Sequence, residues 1–165
     1  MSAYRKNNKG FTLVEILIVV IILGILAAIV IPQFTNASTD ARKNSLSSQL
    51  QTMRSQFELY KLQHNDKLPV VFQTVGTITD WSGMVGQTDV AGNTTGTDFG
   101  PYLQQTPTNT LNQLTNVSVT AADPTAGVAG CGWLMNNVTG KIWATSTKCA
   151  NVYDESDPNA AGNDL

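Results

Sequence analysis

A single acidic residue, Glu15, lies inside a long apolar run near the start of the chain. From Phe11 to Ile31, the only residues that are neither aliphatic nor aromatic are Thr12, Glu15 and Gly24. As an α-helix this segment rises roughly 30 Å at about 1.5 Å per residue, which matches the hydrocarbon thickness of a bilayer. An ionised carboxylate in such a helix costs about 2.5–3.5 kcal/mol, so Glu15 requires a partner that neutralises its charge.

The apolar run itself is not expected to supply that partner. The nearest cations, Arg5, Lys6 and Lys9, all lie upstream of the run. Cleavage of the Gly10–Phe11 bond would create an α-ammonium group one helical turn before Glu15. An amine and a carboxylate attract strongly in hydrocarbon, so the sequence predicts a pair within one chain or between neighbouring chains.

The residues at this junction carry a family resemblance. Lys9-Gly10-Phe11-Thr12-Leu13-Val14-Glu15, followed by the apolar run, resembles the class III signal of type IV pilins and of the pseudopilins of type II secretion. The resemblance covers residues 1 to 69. It implies that a prepilin peptidase cleaves after Gly10 and methylates the Phe11 amine. It also implies that Glu15 of an incoming subunit pairs with the amine of its neighbour and sets the register of a helical filament.

Two other interpretations of the same segment stay open. An ordinary secretory signal also has a basic start and an apolar stretch, and Thr35-Asn36-Ala37 would serve as its cleavage site. That cleavage would release a soluble periplasmic binding domain beginning at Ser38. A plain single-pass anchor without processing is the second alternative. Both leave the carboxylate of Glu15 unexplained.

Charge places the chain relative to a membrane and argues against nucleic-acid binding. The formal charge of −2 becomes −5 when Arg5, Lys6 and Lys9 leave with the leader. These cations favour a cytoplasmic N-terminus, so the C-terminal part is expected to face the periplasm as a single-pass inner-membrane protein. Beyond Lys61, three cations stand against nine acidic residues. This excess of negative charge disfavours a nucleic-acid groove.

Gly24 and Pro32 weaken the middle of the predicted helix, because glycine has low helix propensity and proline removes a backbone donor. Two readings are equally open: a bend that steers the helix into its head domain, or, as the resemblance implies, a segment that melts and lengthens in the filament. Beyond Pro32, apolar residues at helical spacing predict one buried stripe, and the helix is expected to continue to about residue 64. The stripe comprises Leu46, Leu50, Met53, Phe57 and Tyr60.

The helix exit, Glu58 to Pro69, is similar to that of the major pseudopilin of type II secretion. Residues 69–130 are rich in Gly, Thr, Asn, Gln and Asp and are predicted to be irregular, with one short helix near Asp80 to Met84.

Two aromatic and apolar runs around a turn-rich segment then predict a hairpin, Gly132 to Thr145. Its residues Trp133 and Trp143 are interpreted as core or cross-strand residues.

Cys131 and Cys149 bracket this hairpin. In an oxidising periplasm, cysteines near the ends of adjacent strands favour a disulfide, worth about 3 kcal/mol for a loop of this size. Two free or buried thiols are the alternative. A cysteine-closed C-terminal loop resembles many type IV pilins, whereas the major pseudopilin usually lacks it.

The acidic tail offers oxygen ligands for a cation. Asp154, Glu155, Asp157 and Asp164 cluster near the C-terminus, and the resemblance implies calcium, which the C-terminal loop of the major pseudopilin binds. The spacing matches no EF-hand, and a solvated acidic tail without any cofactor is the other reading.

Nothing in the chain indicates an enzyme, since His64 is the single histidine and no phosphate-binding glycine pattern is present. The sequence therefore predicts an α+β filament subunit with a long N-terminal helix packed on a small antiparallel sheet. Its segments are a leader 1–10, a transmembrane and polymerisation helix 11–34, and a periplasmic head 35–165. The head contains the helix continuation, the hairpin 131–149 and the acidic tail 150–165.

The favoured function is that of a type II secretion pseudopilin that drives protein export, and the alternative is a type IV pilin of a surface fibre for adhesion, twitching or DNA uptake. The resemblance implies the partners: further copies in a helical homopolymer, a prepilin peptidase, an assembly ATPase, a platform protein, and minor pilins or pseudopilins.

Overall fold

The computed structural model describes residues 10–157, 160 and 163, and the structural statements below concern those residues. In chain order, its elements are α1 (Leu13–Gln63), a 3₁₀ helix (Val70–Gln73), β1 (Gly76–Ile78), α2 (Ser82–Val85), β2 (Val117–Thr120), β3 (Trp133–Asn136) and β4 (Ile142–Ala144). The chain divides into two compact units, Met1–Thr39 and Asp40–Leu165. The boundary between them falls within α1.

The described part of the first unit contains the apolar half of α1. Its large apolar side chains are exposed, from 40% at Val30 to 83% at Phe11. Pro32 lies inside the continuous helix. Because proline has no N–H, the carbonyl of Ala28 lacks its usual intrahelical donor.

The second unit has its core on the predicted stripe of α1, and that prediction is confirmed. Leu46, Leu50, Met53, Phe57 and Tyr60 are each at most 1% exposed. These side chains share one core with aromatic and apolar residues of the sheet and loops. That core includes Phe72, Trp81, Met84, Val117, Val119, Trp133, Met135 and Ile142.

Helix α1 ends at Gln63, close to the end at about residue 64 that the polar turn after it predicted. Asn65 and Asp66 adopt positive φ angles of 54° and 62°. The Asp66 N–H donates to the Lys61 carbonyl at 2.8 Å. A left-handed turn of this kind satisfies carbonyl groups that the helix leaves open, and asparagine is among the few non-glycine residues that tolerate it.

The four strands form one sheet in the order β1-β2-β3-β4. The predicted hairpin is confirmed, because β3 and β4 pair antiparallel with Leu134 opposite Trp143. Trp133 is fully buried and Trp143 half-buried, in keeping with core and cross-strand roles.

The sheet is mixed, so the expectation of a purely antiparallel sheet was wrong. Strand β2 pairs parallel to β3, with Val117 opposite Trp133, while β1 pairs antiparallel to β2. Both additional strands, together with the 3₁₀ helix, lie in the segment 69–130 that was predicted to be irregular. They have only three and four residues, too few for a repeating pattern to stand out in polar sequence. The predicted short helix near Asp80 is present as α2.

A buried asparagine joins the long loop before β2 to both strands of the hairpin. The Asn109 carboxamide is fully buried and donates to the carbonyls of Gly132 at 2.8 Å and Thr145 at 3.0 Å. Its oxygen accepts from the Leu111 N–H. Gly132 is required there because a Cβ atom would lie 2.3 Å from the Leu114 carbonyl oxygen.

Candidate functional site: the start of the apolar helix

The Gly10–Phe11 junction is accessible in the structure. Gly10 is exposed, and a Cβ atom added to it would meet nothing within 4 Å. The fold therefore imposes no steric need for glycine here. Phe11 is 83% exposed, so the peptide bond between the two residues is open to another protein.

Thr12 and Glu15 form a reciprocal cap at the start of α1. The Glu15 carboxylate accepts hydrogen bonds from the Thr12 N–H and hydroxyl, both at 2.8 Å. The Glu15 N–H lies 3.2 Å from the Thr12 hydroxyl oxygen. The first helical bond runs from Ile16 to the Thr12 carbonyl. These features define a capping box, with Thr12 as N-cap and Glu15 at the third helical position.

This geometry adds hydrogen-bond donors to an expectation that concerned only a partner for the charge of Glu15. Thr12 belongs to the run and supplies two donors, although it supplies no positive charge. The positive end of the helix dipole further favours an anion in the first turn. The sequence signature Thr-x-x-Glu before an apolar run was visible and would have predicted this arrangement.

Between the cap and Ile31, every residue of α1 is aliphatic except Gly24. Among the described residues, α1 is the one helix long and apolar enough to cross a membrane. Signal sequences near an N-terminus share this property, so the length and composition of the helix do not distinguish a membrane anchor from a signal sequence. Gly24 lies in the span with open space around its Cα. After Pro32, the Thr35 hydroxyl donates to the Ile31 carbonyl at 3.1 Å.

The two cysteines are buried free thiols in the structure. Burial raises the pKa of the Cys131 thiol, the Thr77 hydroxyl lowers it, and the proximity of Cys149 raises it further. A disulfide between Cys131 and Cys149 remains a prediction.

Three of the four acidic residues proposed for calcium, Asp154, Glu155 and Asp157, lie among the described residues. Asp154 accepts from the N–H and hydroxyl of Ser156, which lowers its pKa. Glu155 pairs with Arg54. Asp164 lies outside the described residues. The described residues contain no group of three or more potential metal ligands among His, Cys, Asp and Glu.

His64 occupies a core position that its sequence context did not indicate. Its ring is 1% exposed and stacks on Tyr60 with centroids 3.7 Å apart. Nδ1 lies 2.8 Å from the Tyr60 carbonyl, so it carries the proton, and Nε2 lies 2.9 Å from the Thr88 hydroxyl. These contacts join the end of α1 to the loop that follows α2.

An exposed Gly10–Phe11 junction, a capped carboxylate and a helix long and apolar enough to cross a membrane precede a small α+β head, which is the arrangement expected of a membrane-anchored filament subunit. The family model for the prokaryotic N-terminal methylation motif matches residues 5–31. Together with the relatives described next, this match confirms the resemblance to the superfamily of type IV pilins and type II secretion pseudopilins.

Several named proteins share this similarity. The chain is 36% identical to type II secretion system core protein G of Dickeya chrysanthemi over 74 residues, 45% of this chain and 48% of that protein. It is 33% identical to the ComG operon protein 3 homolog of Bacillus licheniformis over 63 residues, 38% of this chain and 65% of that protein. It is 40% identical to the type IV major pilin protein PilA of Myxococcus xanthus over 53 residues, 32% of this chain and 24% of that protein.

These matches are partial. The chain spans about half the length of the secretion-system proteins that it matches. No solved structure matches the chain significantly.

Proposed function

We propose that this protein is a non-enzymatic structural subunit of a bacterial filament assembled from the inner membrane, and that it serves as a type II secretion pseudopilin in protein export. The observation that carries the proposal is the position of Glu15 in the first turn of α1, where its carboxylate bonds to the Thr12 N–H at 2.8 Å. After cleavage, only the Cα and carbonyl carbon of Phe11 separate its new amine from the Thr12 nitrogen. This short separation supports a pairing in which the amine of one subunit contacts the carboxylate of its neighbour.

Cleavage after Gly10 creates the charge that the capping box lacks. In a single chain, the N–H and the hydroxyl of Thr12 both donate to Oε2 of Glu15, and a methylated Phe11 ammonium neutralises the charge of the carboxylate. Because an unpaired charge in hydrocarbon costs about 2.5–3.5 kcal/mol, a subunit gains stability when its carboxylate reaches an amine on a neighbour. This gain favours polymerisation in one axial register.

Charge supports the proposed topology. Arg5, Lys6 and Lys9 precede the span and favour a cytoplasmic start, which leaves the second unit in the periplasm. The proposed partners are further copies of this chain, a prepilin peptidase, an assembly ATPase, a platform protein and minor pseudopilins.

A type IV pilin is the second candidate. The match to a major pilin and the cysteines that bracket the hairpin favour it. Genes for a secretin and several small pseudopilins beside this one would favour secretion, whereas a gene for a retraction ATPase would favour a surface fibre.

Intact mass and N-terminal sequencing of the mature protein test the processing step. We expect a chain that begins with N-methylated Phe11. A mature chain that begins at Ser38 would show ordinary signal cleavage and release of a soluble domain. A chain that retains its first ten residues would show a plain anchor. Either result would reject the filament proposal.

The capping box allows the charge of Glu15 to be tested apart from its hydrogen bonds. Glu15→Gln keeps an oxygen that accepts from Thr12 and removes the charge, whereas Glu15→Ala removes both. We expect both variants to be inserted in the membrane and both to lose filaments, as measured by cross-linking and electron microscopy of cells. If Glu15→Gln assembles as well as the wild type, the charge pair does not set the register.

A further inference from the structure

The acidic C-terminal segment is held by hydrogen bonds from an arginine and an asparagine. Arg54 of α1 makes a bidentate pair with the Glu155 carboxylate, at 2.9 Å from Nη1 and 2.6 Å from Nη2. The same guanidinium donates to the Ile142 carbonyl from Nε at 3.2 Å and from Nη2 at 2.8 Å. One side chain therefore ties the tail both to α1 and to the outer edge of β4.

Asn163 holds the other end of the segment. Its side chain is 2% exposed, and its oxygen accepts from the Asp154 N–H at 2.7 Å. Its nitrogen donates to the carbonyls of Asp154 and Asp157, each at 3.0 Å. A buried carboxamide thus satisfies one backbone N–H and two backbone carbonyls of this segment.

The arrangement does not fit calcium. Calcium requires six to eight oxygen ligands, and several of the oxygens that this segment would offer already accept hydrogen bonds from the protein. Glu155 is bound by Arg54, one oxygen of Asp154 accepts from Ser156, and the carbonyls of Asp154 and Asp157 accept from Asn163. The guanidinium of Arg54 also places a positive charge where a divalent cation would be repelled.

We propose that the C-terminal segment of this protein is closed by the Arg54 guanidinium and the Asn163 carboxamide, and that its stability does not depend on calcium. The Tyr153 N–H donates to the Ala144 carbonyl at 2.9 Å and extends the edge of β4. The side chains of Arg54 and Asn163 together form a clamp, and this clamp keeps the contact between Tyr153 and Ala144 in place. It also occupies the outward-facing carbonyl of Ile142, which an exposed edge strand would otherwise offer to another chain.

The wild-type full chain in detergent micelles gives the first test, by thermal unfolding and amide hydrogen exchange. A calcium site filled at a hundred times its Kd would raise the Tm by roughly 5–10 °C. We expect the Tm and the exchange rate at Tyr153 to be the same in millimolar calcium and in EGTA. A calcium-dependent rise in Tm, or faster exchange at Tyr153 in EGTA, would overturn the proposal.

Variants then test the clamp itself. Arg54→Met should lower the Tm by about 3 °C or more, because it leaves Glu155 and the Ile142 carbonyl without their charged donor. Exchange at Tyr153 should accelerate in the same variant. Arg42→Met, which removes an exposed arginine from the same helix, is the matched control and should change neither quantity. If Arg54→Met behaves like the control, the clamp does not hold the tail.

Asn163→Asp separates the two explanations most directly. It replaces the donating amide by a carboxylate that faces the carbonyls of Asp154 and Asp157. The clamp proposal predicts a lower Tm in EGTA and faster exchange at Tyr153. A variant as stable as the wild type in EGTA would contradict the role of the carboxamide. Both outcomes are independent of whether the protein forms filaments.

Discussion

Thr12 and Glu15 satisfy each other's polar groups at a point where the chain enters an apolar segment. In water, solvent would compete for these groups, but in hydrocarbon an unsatisfied donor or acceptor costs several kcal/mol. The capping box therefore does more in a membrane than in a soluble helix. It also explains why threonine is tolerated in a run that is otherwise almost entirely apolar.

Removal of the Thr12 hydroxyl should loosen the first turn of α1. Thr12→Val keeps the size of the side chain and removes the acceptor of the Glu15 N–H and one donor to its carboxylate. Loss of an N-cap costs about 1 kcal/mol, so amide exchange at Glu15 should be about fivefold faster in micelles. Thr12→Ser keeps the hydroxyl and should exchange like the wild type. Equal protection in Thr12→Val would show that the cap does not stabilise the helix start.

Tyr60 and Tyr102 differ in how their hydroxyl groups are satisfied. The Tyr60 hydroxyl is buried and has no hydrogen-bond partner among the described residues. Burial, together with smaller contributions from the nearby Tyr102 and Asp89, raises the pKa of Tyr60 to about 12. The Tyr102 hydroxyl donates to the Gln63 side chain. Removal of the two groups should therefore have opposite effects.

Tyr60→Phe should leave the free energy of unfolding at pH 7 unchanged or raise it by about 1 kcal/mol, because a buried unsatisfied hydroxyl disappears. Tyr102→Phe should lower it by about 1 kcal/mol through the lost hydrogen bond. Unfolded tyrosine loses its proton near pH 10, before folded Tyr60, so wild-type stability falls between about pH 10 and 12. Tyr60→Phe should reduce that fall. Urea unfolding of both variants checks the prediction, which fails if Tyr60→Phe is the less stable.

Among the helices and strands, the sequence predicted the ones that have a recognisable pattern within their own residues. The stripe of α1 repeats at helical spacing, and the β3–β4 hairpin has two aromatic runs around a turn. Strands β1 and β2 lack such a pattern, and the parallel pairing of β2 with β3 depends on contacts made across the fold. Asn109 illustrates the difficulty. In a polar segment it reads as a loop residue, yet three hydrogen bonds make it a core residue.

Asn109→Asp should destabilise the second unit strongly. The change keeps the shape of the side chain but directs a buried carboxylate at the carbonyls of Gly132 and Thr145. We expect the free energy of unfolding to fall by about 2–3 kcal/mol at pH 7. Asn44→Asp, on the exposed face of α1, is the matched control and should change it by less than about 0.5 kcal/mol. Urea unfolding measures both, and similar values for the two variants would contradict the role of Asn109.

For the whole molecule, the two units differ in what the sequence could establish. Composition alone predicted a helix able to span a membrane, and the motif around Gly10 lies within residues 5–31, which the family model for the N-terminal methylation motif matches. The second unit folds around side-chain and backbone contacts between segments far apart in the chain, such as the Arg54 clamp. The sequence offers Glu155 as a calcium ligand, whereas its pairing with Arg54 depends on a contact between distant segments that the sequence does not show.

Acid should destabilise the second unit through two aspartates in its loops. Asn93 donates to both oxygens of Asp89 and lowers its pKa, and Ser156 lowers the pKa of Asp154. Since the folded pKa values lie below the unfolded value of 3.8, this stabilisation is complete above about pH 4 and is lost as the pH falls through the folded values. The midpoint of unfolding, measured at a series of pH values, should therefore be constant near neutral pH and should decrease once the pH is lowered past about 4.

Asp89→Asn removes one of these titrations. The variant should be less stable than the wild type at pH 7, and the difference should shrink as the pH falls through the lowered pKa of folded Asp89. Asp98→Asn removes an exposed carboxylate from the same loop and controls for the change in net charge. A constant difference between Asp89→Asn and the wild type from pH 7 to pH 2 would show that the hydrogen bonds of Asp89 do not depend on its charge. The loop would then be held by its backbone geometry alone.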